Sequence, residues 1–187
     1  GIPGEEEFRG RGVSYCATCD GNFFRGKTAA VIGSGNTAVS SAVTLAGVCK
    51  KVYLVTRHPA LRAEAYFAGQ LRSLPNIEHI AGWQATAIEG SQKVESLLLK
   101  STEDGSEKRL PVDGVFVSIG VRPNTHLLEG FLPLSDEFIE AGEDCVTQIP
   151  GVYAAGDIRR KKLYQIVTAV ADGANAAHSA LLYLQGH

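Results

Sequence analysis

The sequence has no methionine among its 187 residues. Removal of an initiator residue before Gly1 accounts for that, and so does a chain that begins inside a longer protein. Long apolar runs are also missing, and none approaches the ~18 residues of a membrane span. The opening stretch, "GIPGEEEFRG", is acidic and polar. It does not have the pattern of a secretory signal, so the cytoplasm is the expected compartment. Charge of one sign is lacking too: the net charge is -2. That gives no basis for binding nucleic acid or an anionic membrane surface. Four cysteines in a chain this long do not make a disulfide framework.

What is present is apolar mass, 44% of residues, enough for the core of one medium domain or two small ones. "TAAVIGSG" (28–35) reads as a buried strand entering a tight turn. "NTAVSSAVTLAGV" (36–48) is compatible with a helix, and "KKVYLVTR" (50–57) with a second strand. Together they make a βαβ unit. Residues 60–74 read as a helix stopped by Pro75, and 76–82 as a strand. The period then shortens to an antiparallel meander around the turn "TEDGS" (102–106), and "GVFVSIG" (114–120) is a buried strand. Beyond residue 120 the chain is rich in loops. "PGVYAAGD" (150–157) reads as a short strand. Residues 164–184 read as an amphipathic helix, its apolar stripe marked by Ile166, Ala169, Val170, Gly173, Ala174, Ala177, Leu181 and Leu184.

Gly33, Gly35 and Ala38 fit the pattern GxGxxA between that first strand and helix, the context a dinucleotide-binding turn needs. The first glycine permits the turn, the second lets backbone N–H groups approach a pyrophosphate, and Ala38 allows close helix–strand packing. The positive end of the helix dipole then faces the phosphates. At the end of the second strand an NAD site usually carries an acid. Here stand Thr56, Arg57, His58 and then Arg62, a basic group that favours the 2'-phosphate of NADPH.

Cys16 and Cys19 form a CxxC pair with Asp20 behind them. Zinc, a structural disulfide and a cycling redox dithiol are the three readings. Zinc needs four ligands at set spacing, whereas Cys49 and Cys145 are isolated and the histidines scattered. The cycling dithiol fits best, because CxxC opens and closes a disulfide and an adjacent carboxyl can move the accompanying proton. Asp20-Gly21 is also a turn-forming pair. Hydride from a nicotinamide does not pass readily to a disulfide, and a flavin is the usual intermediary.

"GRGVSYCATCDG", "GSGNTA", "VTRHPALRA", "SIGVRPNT" and "PGVYAAGDIRRKKLYQIVTAVADG" follow one another as in the bacterial low-molecular-weight thioredoxin reductases, which the chain resembles over nearly its whole length. The resemblance implies a cytoplasmic homodimeric flavoprotein passing electrons from NADPH to FAD, to a dithiol and on to thioredoxin. It implies that Cys19 faces the flavin, Cys16 attacks the partner disulfide and Asp20 is the acid/base. Gly33, Gly35, Asn36 and Thr37 would line the NADPH pyrophosphate, with Arg57, His58 and Arg62 at the 2'-phosphate. Asp157 would contact the FAD ribityl chain, and Tyr164, Gln165 and Ile166 would lie along the flavin. One flavin would meet nicotinamide and dithiol in turn through a swing of the nucleotide domain.

The family opens with an FAD-binding βαβ carrying its own glycine fingerprint, which these residues do not contain. The expected fold is therefore α/β: a Rossmann-like, three-layer NADPH and dithiol domain with an antiparallel meander (1–120), then the C-terminal portion of a split FAD domain (121–187). Such a fragment is expected to bind NADPH without retaining FAD, its last helix short of a partner. Two other readings share the motifs: an NADPH-binding redox switch without catalysis, and a reductase of a peroxiredoxin-type partner.

Overall fold

The computed structural model describes residues 1–128 and 130–186. The chain divides into two compact units, Gly1–Gly120 and Val121–His187. In the first, strand β1 (Val13–Ser14) leads into a single helical turn, α1 (Ala17–Asp20), continued by a 3-10 turn at Gly21–Phe24. Then come β2 (Thr28–Ile32), α2 (Asn36–Ala46), β3 (Lys51–Thr56), α3 (Ala65–Arg72) and β4 (Ile77–Ala81). An antiparallel meander follows, β5 (Trp83–Gly90), β6 (Val94–Ser101) and β7 (Glu107–Pro111), before β8 (Gly114–Val117).

Strands β1, β8, β2, β3 and β4 lie side by side in that order, all parallel. The central strands β2, β3 and β8 are covered on both faces, which is why their middles are near-continuous apolar runs, whereas the edge strand β4 carries exposed Glu78 and His79. Side-chain alternation divides them between two cores. Ala29, Val31, Leu54 and Phe116 pack with Ala38, Val39, Ala42 and Leu45 of α2. Ala30, Val55, Val115 and Val117 face the other way, onto Ile88, Leu97, Leu99 and Leu110 of the meander. The result is helices, parallel sheet and antiparallel sheet in three layers, the mixed α/β class expected from the sequence.

Helix α3 is shorter than its apolar pattern over 60–74. The N–H groups of Arg62 and Ala63 are both taken by the carbonyl of Ser34, at 2.8 and 3.1 Å, so the helix starts only after Glu64. Strand β8 stops at Val117, although Ser118 still donates to the Ile32 carbonyl.

The second unit contains a small hairpin, β9 (Leu134–Ser135) with β10 (Phe138–Ile139), and the long helix α4 (Ile166–Leu184). Its core gathers Leu132, Ile139 and Ala154. The strand expected over 150–157 reduces to one bridge, Val146 with Tyr153, and a 3-10 turn at Gly156–Ile158. Among the described residues no further strand lies beside it to extend a ladder. Of the expected stripe of α4, only Ala169 packs against the helix's own unit. Asp172 is buried and Ala169, Ala176 and Ser179 are half-buried, while Ile166, Val170, Leu181 and Leu184 are exposed. Small side chains and one ion-paired acid let this helix approach its own unit closely, leaving the bulky residues outward.

Candidate redox and nucleotide site

Cys16 and Cys19 are joined by a disulfide, their Cα atoms 5.3 Å apart. Cys16 is the N-cap of α1, its sulfur accepting the Cys19 N–H at 3.1 Å. Cys16 is half-buried and Cys19 exposed. Asp20 closes the same turn. Its carboxylate accepts a 2.6 Å hydrogen bond from Ser14, whose oxygen in turn accepts the Cys16 N–H at 3.1 Å. Sequence reasoning passed over Ser14, although its place two residues before the first cysteine is the local signal.

Helix α1 packs against α2, with Ala17 and Ala38 in one core cluster. The dithiol and the glycine turn are thus mounted on neighbouring helices of one unit. Gly33 has a φ of 142°, and a Cβ there would sit 2.1 Å from the Ser118 carbonyl oxygen and 2.9 Å from Cβ of Ala38. Only glycine fits that close approach. Gly35 is the N-cap of α2 and offers no side-chain cap, and the first helical turn carries no acid. The leading N–H groups and the positive helix end are therefore suited to a phosphate.

The basic loop is tied to this turn. Besides the two bonds to Ser34, Asn36 and Glu64 form a reciprocal pair: the Asn36 amide donates to the Glu64 carboxylate, and the Glu64 N–H donates to Asn36 Oδ1, both at 2.8 Å. The structure thus brings Gly33, Gly35, Asn36 and Thr37 together with Arg62, but it commits the Asn36 side chain to Glu64. Arg57, His58 and Arg62 are exposed, and among the described residues no carboxylate pairs with either arginine. Glu64, two residues after Arg62, is a neighbour of the site that the sequence reading missed.

In the second unit Asp157 is exposed on the Gly156–Ile158 turn, 3.5 Å from Lys161 Nζ. That turn is held by buried Asp172, which accepts the Gly156 N–H at 3.0 Å, pairs with Arg159 at 2.6 Å and with Lys161 at 3.0 Å. The Arg159 hydrogen bonds hold the Asp172 carboxyl down to about 2 against the opposing effect of burial, and Lys161 and the Gly156 N–H add to them. An acid inside an apolar helix was the signal for this cluster. Tyr164 stacks obliquely on Phe138, ring centres 5.5 Å apart. Gln165 caps α4 in a reciprocal pair with Thr168, and Ile166, 85% exposed, begins the helix.

Cys49 and Cys145 are buried and free. Burial pushes the Cys49 thiol up to about 11, with Asp113 adding to it, and raises Cys145 as well. Among the described residues no helix is long and apolar enough to cross a membrane.

The pyridine nucleotide-disulphide oxidoreductase family matches residues 1–173. A thioredoxin reductase of Treponema pallidum (strain Nichols) is 43% identical over 186 residues, covering 98% of this chain and 60% of its own length. A component of the alkyl hydroperoxide reductase of Pseudomonas putida is also 43% identical, over 189 residues, 98% of this chain and 36% of its own. The crystal structure of thioredoxin reductase from Streptococcus pyogenes MGAS5005 superposes with a TM-score of 0.91 at 36% identity, over 100% of this chain and 62% of that one. The chain thus spans about three fifths or less of these relatives.

Proposed function

From its membership of the pyridine nucleotide-disulphide oxidoreductase family, to which this chain belongs, we propose that it is the nucleotide and dithiol portion of an NADPH-dependent thioredoxin reductase. The observation that carries the reading is the Cys16–Cys19 disulfide on α1, packed against the helix that begins the dinucleotide turn.

The residues fit a pyridine nucleotide: a glycine cradle that a Cβ would fill, a helix start without a side-chain cap, and three exposed basic side chains. Gly33, Gly35 and the first turn of α2, at Asn36 and Thr37, would hold the pyrophosphate, and Arg57, His58 and Arg62 the 2'-phosphate. In the second unit the exposed Asp157 carboxylate, half-buried Tyr164 and Gln165, and exposed Ile166 at the start of α4 would meet FAD. FAD, when bound, supplies the step from hydride donor to disulfide that sulfur alone performs poorly. Two electrons and two protons convert Cys16–Cys19 to a dithiol. The Cys16 thiolate then attacks the partner disulfide, forming a mixed disulfide and releasing one partner thiolate. Cys19 attacks Cys16 Sγ, releases the second and restores the intramolecular bond. Asp20 gives and takes the proton at these sulfurs. A dithiol that cycles in this way belongs in a reducing compartment, the cytoplasm. The reading includes a homodimer, as the family resemblance implies.

The test is NADPH-driven reduction of thioredoxin by the full-length protein carrying this sequence. Turnover should vanish in Cys16→Ser and Cys19→Ser. Turnover that survives alkylation of both cysteines refutes the reading. Equal identity to the alkyl hydroperoxide reductase component supports a second reading, a reductase serving a peroxiredoxin-type partner. Exchange of the protein substrate in the same assay separates the two.

A further inference from the structure

Thr56, the last residue of β3, is 1% exposed. Its hydroxyl has two partners at 2.8 Å, the carbonyl of His58 and Nε2 of His79 on β4. A hydroxyl carries one hydrogen. Were it given to His79, the Thr56 and His58 oxygens would face each other as two acceptors. Given to the His58 carbonyl, it leaves a lone pair for His79, whose Nε2 then bears the ring hydrogen. The relay runs from His79 N–H to Thr56 O–H to the His58 carbonyl. Desolvation lowers the His79 pKa, in keeping with a neutral ring that donates through one nitrogen.

The relay fixes one end of the basic loop. The other end is fixed separately, by the Ser34 carbonyl at Arg62 and Ala63. The glycine turn has its own anchor, the Gly33 N–H on the Val55 carbonyl at 3.1 Å. Arg57 and His58 are exposed, so their side chains are aimed by the backbone beneath them. A planar guanidinium engages a phosphate best when its geometry is set in advance.

Resting on the reading of this loop as the 2'-phosphate subsite, we propose that Thr56 and His79 are positioning residues that hold the Arg57–His58 backbone for the 2'-phosphate and thereby set the preference for NADPH over NADH. Thr56 is buried and would act through the backbone rather than by contact with the nucleotide.

The experiment measures dissociation constants of NADPH, NADH and adenosine 2',5'-bisphosphate for the full-length protein and four variants. Thr56→Val and His79→Leu each break the relay, and Thr56→Ser and His79→Gln keep a donor in place. Loss of one such hydrogen bond is worth about tenfold. NADPH and the bisphosphate should weaken by about that factor in Thr56→Val and His79→Leu, NADH by less than about twofold, and the two conservative variants should stay near wild type. If NADPH and NADH weaken together, or neither changes, the relay has no part in selectivity and the proposal falls. A wild-type protein that does not prefer the 2'-phosphate overturns the subsite reading itself, a result visible before any variant is made.

Discussion

The Ser14 hydroxyl donates to the Asp20 carboxylate at 2.6 Å, and through the same oxygen accepts the N–H of Cys16. Ser14 belongs to β1, which pairs with β8, Ser14 opposite Phe116. An acid beside a disulfide is thus anchored to the parallel sheet rather than left on a free turn. Removing the hydroxyl in Ser14→Ala should lower the rate of NADPH-driven disulfide reduction by about tenfold, the worth of one charge-assisted hydrogen bond. Asp20→Asn should lower it by roughly a hundredfold or more, as expected for a lost proton donor. The KM for NADPH should not move in either. Steady-state kinetics decide it, and a Ser14→Ala protein at wild-type rate would leave the hydroxyl without a role.

Gly33 is the position least tolerant of a side chain in the nucleotide turn. Its φ of 142° is disfavoured for L-residues, and the Ser118 carbonyl occupies the space of a Cβ. Backbone, not a flexible side chain, would have to shift. Gly33→Ala should destabilise the first unit by about 1–3 kcal/mol and weaken nucleotide binding at least tenfold. Gly35→Ala has open space around its Cβ and a φ of -85°, so its stability should hardly change. Thermal denaturation of the two variants makes the comparison.

The β2–α2–β3 unit is legible in the sequence because its signals are local. An apolar run, two glycines and a helix of small residues each act over a few positions. The dithiol is legible for the same reason. What is not legible depends on distant residues. The Thr56–His79 contact spans 23 positions and the Asn36–Glu64 pair 28. A β-rich run ending in threonine looks the same whether or not a histidine arrives beside it. The packed face of α4 is hidden by a different effect. Hydrophobicity marks Ile166, Val170 and Leu181, but the helix presents Ala169, Asp172 and Ala176 to its own unit. Arg159 and Lys161 meet the Asp172 carboxylate on that face, a pairing the apolar pattern does not signal.

Asp172 makes the second unit sensitive to acid. Its folded-state pKa is about 2, below the ordinary 3.8, so it contributes stability above the unfolded value. That contribution is lost as pH falls from about 4 through 2. In Asp172→Asn the acid-dependent part should vanish. The variant should already be weaker at pH 7, by about 3–5 kcal/mol, because buried Arg159 and Lys161 lose their counter-charge. Urea titrations at pH 7 and pH 3, followed by the circular dichroism of the 19-residue α4, give both quantities. The gap between the wild-type and variant curves should narrow at pH 3, where part of the contribution is already lost. Parallel curves would show that the carboxylate's charge is not what holds the Gly156–Ile158 turn.

The four cysteines should separate by chemistry as they do by position. Thiolate, not thiol, reacts with iodoacetamide. A thiol with a pKa of about 11 is ionised to roughly one part in a thousand at pH 8, and Cys49 is also buried. Cys145 is fully buried, its sulfur 3.3 Å from the Asp172 carbonyl. Cys19 is exposed and Cys16 half-buried, so reduction should leave both within reach of the reagent. Native, unreduced protein should therefore take up no label, and reduced native protein should take up label at Cys16 and Cys19 alone. Only denaturant should expose Cys49 and Cys145. Intact mass and peptide mapping count the additions, and loss of turnover should keep pace with the first pair. Labelling of Cys49 at a rate matching Cys19 would mean that the core beneath α2 opens as readily as the disulfide. The dithiol would then have lost the rigid mounting that the proposed electron transfer requires.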